Sequence, residues 1–213
     1  MIAENIQKIA YSLPKEITLV AVSKTKPNIA LEEAYAVGQR DFGENKVQEL
    51  CQKAASLPSD IRWHMIGHLQ RNKVKYIAPF VYLIHGVDSE RLLAEINKQA
   101  LKNNRTIDVL IQIHIAEESS KFGFSFQEAE RLFSQENAYP NVHIVGLMGM
   151  ATFTKEESQI KKEFERLAEF YNTWKTKKSL SVLSMGMSND FKLAITAGSN
   201  MIRVGSLIFG NRM

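Results

Sequence analysis

The chain has 213 residues, 45% hydrophobic and 23% charged, with a net charge of +4 and a pI near 9.1. This is ordinary globular composition, long enough for one large core, and it sets aside low-complexity and fibrous classes. The mild positive excess is spread along the chain and suits an anionic small ligand as well as nucleic acid.

The N-terminus, MIAENIQKIAYSL, reads as one amphipathic helix over about residues 2–12. It carries an early acidic residue and no long apolar run, so neither a signal peptide nor a membrane span is expected, and the chain reads as cytoplasmic. Short β-rich runs then recur at residues 17–22, 40–44, 62–67, 81–87, 107–115, 141–150, 180–186 and 201–205, with amphipathic stretches between them. Leu92, Leu93, Ile96 and Ala100 fall on one helical face, as do Ile160, Phe164, Leu167, Ala168 and Tyr171. Ser125 with Glu128 and Thr154 with Glu157 each read as a capping box. The lone cysteine, Cys51, excludes an intrachain disulfide and reads as a partly buried filler, consistent with a reducing compartment.

Eight strands alternating with helices predict a single (β/α)8 barrel of the TIM type over residues 1–213, preceded by an extra N-terminal helix. A doubly wound open sheet is the rival, and the count of eight favours closure. The final helix, after Gly205, must be very short.

In such barrels, functional residues gather at the C-terminal ends of strands. The first strand ends in AVSKTKP, where Lys24 shares its parity with Val20 and Val22; facing inward, its amine would be partly desolvated and nucleophilic. A solvated lysine is the commoner role for such a residue. The second strand ends in FGENKVQE: Gly43 suggests a tight turn, and Asn45 a helix cap or a ligand contact. The third ends in WHMIGHLQRNK; His64 and His68 are four apart but lack a nearby acidic residue in sequence, so packing and hydrogen bonding are expected, and no metal. After the seventh strand, Ser184, Gly186 and Ser188 suggest a small-residue turn into a helix, and Gly205 and Ser206 a second one after the eighth. These are the two places where barrels usually hold phosphate. Arg203 shares the parity of Gly205; facing inward, it needs an ion pair, a phosphate or a ring nitrogen as partner.

The blocks AVSKTKP, FGENKVQE, WHMIGHLQRNK, LSMGMSND and GSNMIRVGSLIFGNR, in this order, resemble the pyridoxal phosphate (PLP) homeostasis protein family. The resemblance implies the barrel of fold-type III PLP proteins, similar to the N-terminal domain of alanine racemase. It implies PLP as cofactor, held as a Schiff base on Lys24. Asn45 then lies near the cofactor, Ser188, Gly205 and Ser206 form the phosphate cup, Arg203 faces the pyridine nitrogen, and His68 lines the site. The family usually has Thr where Ser206 stands; Ser keeps the hydroxyl. Lys121 falls where related proteins carry a second basic residue.

An arginine beside the ring nitrogen disfavours its protonation and weakens the electron sink that PLP catalysis draws on. In alanine racemase a tyrosine from a second domain acts as one of the bases. This chain ends soon after its eighth strand, so that domain is expected to be absent. The resulting expectation is a non-catalytic, monomeric PLP carrier, with PLP-dependent apoenzymes as transient recipients. A weak amino-acid racemase is the alternative. A nucleic-acid or protein adaptor rests only on the basic run Lys175, Lys177 and Lys178, which reads as a solvated helix end, so no nucleic-acid partner is expected.

Overall fold

The computed structural model describes residues 1–118, 122–135 and 138–210; Lys121 lies outside the described residues. The strands are β1 (Thr18–Val22), β2 (Asp41–Glu44), β3 (Arg62–Met65), β4 (Leu83–Val87), β5 (Ile107–Gln112), β6 (Val142–Met148), β7 (Val182–Ser184) and β8 (Met201–Val204). Each pairs in parallel with the next, and β8 returns to β1 through Thr18↔Met201 to Ala21↔Val204, so the sheet is a closed barrel and the open-sheet rival is excluded. The helices among the described residues are α1 (Ile2–Ser12), α2 (Asn28–Ala36), α3 (Val47–Ser56), α4 (Val74–Ile77), α5 (Glu90–Lys102), α6 (Phe126–Ser134), α7 (Glu157–Lys175), α8 (Phe191–Thr196) and α9 (Ser206–Phe209).

Register decides which face of each strand is inside. Val20 pairs with Arg203, and Val20, Leu83, Leu110, Val145, Met148 and Met201 form a small cluster within the barrel. The opposite parity, including Leu19, Ala21, Phe42, Ile84 and Val109, joins the larger core between sheet and helices. Both helical stripes read from the sequence are buried there, on α5 and α7.

Local signals held in part. Ser125 and Glu128 make the capping box reciprocally at α6. Thr154 and Glu157 do not: α7 begins only at Glu157, and the Thr154 hydroxyl accepts from Glu156 N–H at 3.1 Å, a local turn that replaces the cap. Gly43 is not a turn residue but lies within β2, where a Cβ would come within 3.1 Å of Ile66 and Val20. Lys175 and Lys177 sit at the end of α7 over the rings of Tyr171 and Trp174, so aromatic rings do accompany the basic run; both rings are buried in the core.

Candidate functional site

The C-terminal mouth of the barrel is assembled from the loops after β1, β2, β3, β7 and β8. Lys24 follows β1 with the parity of Val20, whose side chain is inside the barrel, and is half-buried. The residues beside it are held from behind. Ser23 Oγ donates to Glu44 Oε1 at 2.6 Å, and Lys53 Nζ donates to Ser23 O (2.8 Å), Glu44 Oε1 (2.7 Å) and Glu49 Oε1 (2.7 Å). Glu49 also accepts the Thr25 N–H at 2.6 Å. Thr25 has φ +64°, a left-handed conformation costly for a β-branched residue, so this anchoring maintains a strained turn next to Lys24. Burial pushes the Glu44 carboxyl up, against the pull of Lys53 and Ser23, and its Oε2 is buried with no hydrogen-bond partner among the described residues. Lys26 Nζ donates to Phe209 O at 2.9 Å and so ties the same loop to α9.

The turns after β7 and β8 meet. Gly205 N–H donates to Ser188 Oγ at 3.3 Å. Among the described residues, no hydrogen bond engages the N–H groups of Ser188, Asn189, Ser206 and Leu207. Gly186 has φ +93°, where a Cβ would strike Ala194 and Phe191. The turn into α8 differs from the sequence reading in one respect: Ser184 is the last residue of β7 and points into the barrel, and α8 starts only at Phe191.

Arg203 faces inward, one of the two faces its parity allowed. It is 4% exposed and donates from Nη1 to Ser184 O (2.9 Å) and Oγ (2.6 Å), and from Nη2 to Gly149 O (3.1 Å). Burial pulls its pKa down to about 10, with Asp190 opposing, so it stays charged at neutral pH. Three of a guanidinium's five N–H donors are thus engaged among the described residues.

Asn45 is half-buried in the loop after β2 and does not cap α3, whose N-cap is Lys46. Its backbone is approached so closely by Gly67 that a Cβ there would lie 2.5 Å from Asn45 O, which packs the loops after β2 and β3 together. His68 is exposed at the rim, stacked on Phe122 with ring centroids 4.2 Å apart, and its Nδ1 is 2.9 Å from Asp88 Oδ2. It borders a cleft of about 600 Å³ shared with Arg91 and Glu128. His64 is fully buried, and its Nε2 is 3.0 Å from Asp41 Oδ1. Both histidines therefore have acidic partners, remote in sequence. No cluster of three or more His, Cys, Asp or Glu side chains that could hold a metal is present among the described residues.

Sequence reading missed Glu44, Lys53 and His85. A charged residue at a buried position of α3, between Leu50 and Ala54, was the available sign for Lys53. A histidine with inward parity in VYLIHGV was the sign for His85.

The site is that of a (β/α)8 barrel with a lysine at its mouth, an inward arginine and two facing serine–glycine turns. The family model of the alanine racemase N-terminal domain matches residues 1–213, and the chain belongs to that family. Among its relatives, a pyridoxal phosphate homeostasis protein of Aquifex aeolicus (strain VF5) is 39% identical over 197 residues, 91% of this chain and 86% of its own. That of Escherichia coli (strain K12) is 39% identical over 207 residues, 93% of this chain and 87% of its own. PipY of Synechococcus elongatus PCC7942, solved with PLP bound, superposes with a TM-score of 0.90 at 34% identity, covering 99% of this chain and 100% of PipY. Alanine racemase of Clostridium difficile 630 shares the fold at 13% identity with a TM-score of 0.80, and this chain covers 56% of it. No helix among the described residues is long and apolar enough to cross a membrane.

Proposed function

We propose that this chain, as one domain over residues 1–213, binds PLP at the barrel mouth and serves PLP homeostasis as a carrier and not as a turnover enzyme. The observation that carries the reading is the convergence of Lys24, the Ser188–Gly205 turn pair and inward Arg203 on one barrel end. The relatives named for PLP homeostasis and the PLP-bound PipY support it.

The donor set fits the cofactor. Ser188 and Ser206 would hold the phosphate through their hydroxyls and N–H groups not engaged elsewhere among the described residues, with Gly205 joining the two turns through its N–H to Ser188. Lys24 would anchor the aldehyde carbon covalently through its amine. Arg203 would meet the ring nitrogen with its remaining N–H donors, and Asn45 and His68 would border the ring and the rim. PLP supplies an electrophilic aldehyde and an electron-withdrawing ring when bound. A guanidinium that keeps its charge at neutral pH opposes protonation of that ring, which favours holding over turnover.

On this reading PLP-dependent apoenzymes are the transient recipients, the working form is a monomer, and the compartment is the cytoplasm. Mixing the purified protein with PLP should produce a visible absorbance band that borohydride converts to a stable adduct, mapped by mass spectrometry to Lys24. Covalent attachment at the same mouth in Lys24→Ala would overturn the assignment. The second reading, a weak PLP-dependent racemase, is favoured by the family match alone. Chiral analysis after incubation of loaded protein with several L-amino acids separates the two: turnover abolished by Lys24→Ala would establish the enzyme.

A further inference from the structure

A chain of polar groups crosses the apolar interior of the barrel, and cofactor attachment at the mouth does not account for it. Arg62 opens β3 and donates from Nε to Asp41 Oδ1 at 2.7 Å. Asp41 Oδ1 also lies 3.0 Å from His64 Nε2. His64 Nδ1 is 2.9 Å from His85 Nε2, and His85 Nδ1 is 3.2 Å from Ser184 Oγ. Ser184 Oγ then meets Arg203 Nη1 at 2.6 Å. The links come from β2, β3, β4, β7 and β8, and His64, His85 and Ser184 are completely buried.

With both imidazole rings neutral, the two ends fix the direction of every bond. Arginine can only donate, and an ionised carboxylate can only accept. Burial raises the Asp41 pKa, but hydrogen bonds from Arg62 and His64 outweigh it and hold the carboxyl at about 2, so it is ionised at neutral pH. His64 therefore presents Nε2–H to Asp41, and its bare Nδ1 accepts from His85 Nε2–H. His85 Nδ1 is then bare and accepts the Ser184 hydroxyl proton, and the Ser184 oxygen faces Arg203 with a lone pair. Reversing the sequence with neutral rings would set a bare His64 nitrogen against the Asp41 carboxylate. Burial, with the Arg203 charge nearby, holds the His85 pKa well below its usual value, as a neutral link requires.

We infer that Asp41, His64, His85 and Ser184 are positioning residues, a one-directional hydrogen-bond relay that locks the Ser184 hydroxyl and through it the orientation of Arg203 toward the bound ring. The inference rests on the reading of Arg203 as the partner of the ring nitrogen. A serine hydroxyl alone is a free rotor that could turn its proton toward the guanidinium. His85 removes that freedom from the opposite side of the barrel, 99 residues away in sequence. Bonds aligned in one sense also polarise one another in a low-dielectric interior.

The test has two parts. Long-range ¹⁵N–¹H correlation spectra of the full chain with labelled histidine, before PLP is added, should show His64 and His85 both as Nε2–H tautomers at neutral pH. A doubly protonated His64, or an Nδ1–H tautomer of His85, would overturn the relay. In the PLP-loaded protein, His85→Phe and Ser184→Ala should shift the visible band and weaken PLP retention by about threefold to tenfold, the loss of roughly one ordinary hydrogen bond. Ser184→Thr, which keeps the hydroxyl, should restore both. An unchanged band and affinity in Ser184→Ala, where Arg203→Ala alters them, would refute the relay while leaving Arg203 in place. No effect of Arg203→Ala, with PLP still mapped to Lys24, would instead remove Arg203 from the site and the relay's target with it.

Discussion

The two faces of β2 carry two charged clusters with opposite designs. On the outer face, Glu44 pairs with Lys53, a compact ion cluster packed directly behind the Lys24 turn. On the inner face, Asp41 starts a line of single hydrogen bonds that passes through two histidines and Ser184 to Arg203 on β8. The outer cluster fixes backbone: it holds Ser23 and Thr25, the two neighbours of Lys24. The inner line orients side chains. On the proposed reading, a covalent anchor at Lys24 needs its strained turn held, whereas a ring contact from Arg203 needs donors aimed, and charge pairing serves the first as directional links serve the second.

The comparison can be broken most severely at Lys53. Lys53→Met leaves Glu44 buried without its cation and should cost about 3–5 kcal/mol in denaturant unfolding, with the double variant Lys53→Met/Glu44→Gln recovering much of the loss. Asp41→Asn should cost ~2 kcal/mol at neutral pH, from the fall in its pKa from 3.8 to about 2. The sign follows from that depression: the contribution is complete above the unfolded value of 3.8 and disappears as pH falls through about 2, so wild type and variant should converge in acid unfolding. Ser23→Ala removes one buried hydrogen bond to Glu44 and should cost about 1.5 kcal/mol by the same assay, with no change in the histidine tautomers inside the barrel. The mildest effect is a slope. Because the folded state keeps His85 neutral, its contribution is complete above the unfolded value of 6.5 and is lost as pH falls below it, by about 1.4 kcal/mol per pH unit. His85→Phe should flatten that part of the stability–pH curve, and an unaltered slope would show that another group titrates there.

The legible part of this molecule was the local part. Period-2 runs located all eight strands, and the stripes on α5 and α7 named core residues correctly because helical spacing is set within a few turns of the chain. The Ser125 cap was readable, whereas the Thr154 cap was not, because two more residues of turn precede α7. The same limit governed the mouth. Lys24, Ser188, Gly205 and Ser206 could be placed by strand ends and turn chemistry, but Asn45 proved to be a close-packed loop residue and not a cap.

Parity alone gave Arg203 and Lys24 two choices of face. Closure of the barrel, with Val20 beside Arg203 and inside, made the choice for Arg203. The sequence by itself thus determined the alternation of elements, the covering of the outer core and the chemistry available at each strand end. Only the tertiary structure decided who meets whom across the barrel: Asp41 with His64, His85 with Ser184, Lys53 with the turn beside Lys24. Those partners are 23 to 99 residues apart. No periodicity spans such a distance; strand register and the diameter of a closed sheet bring them together.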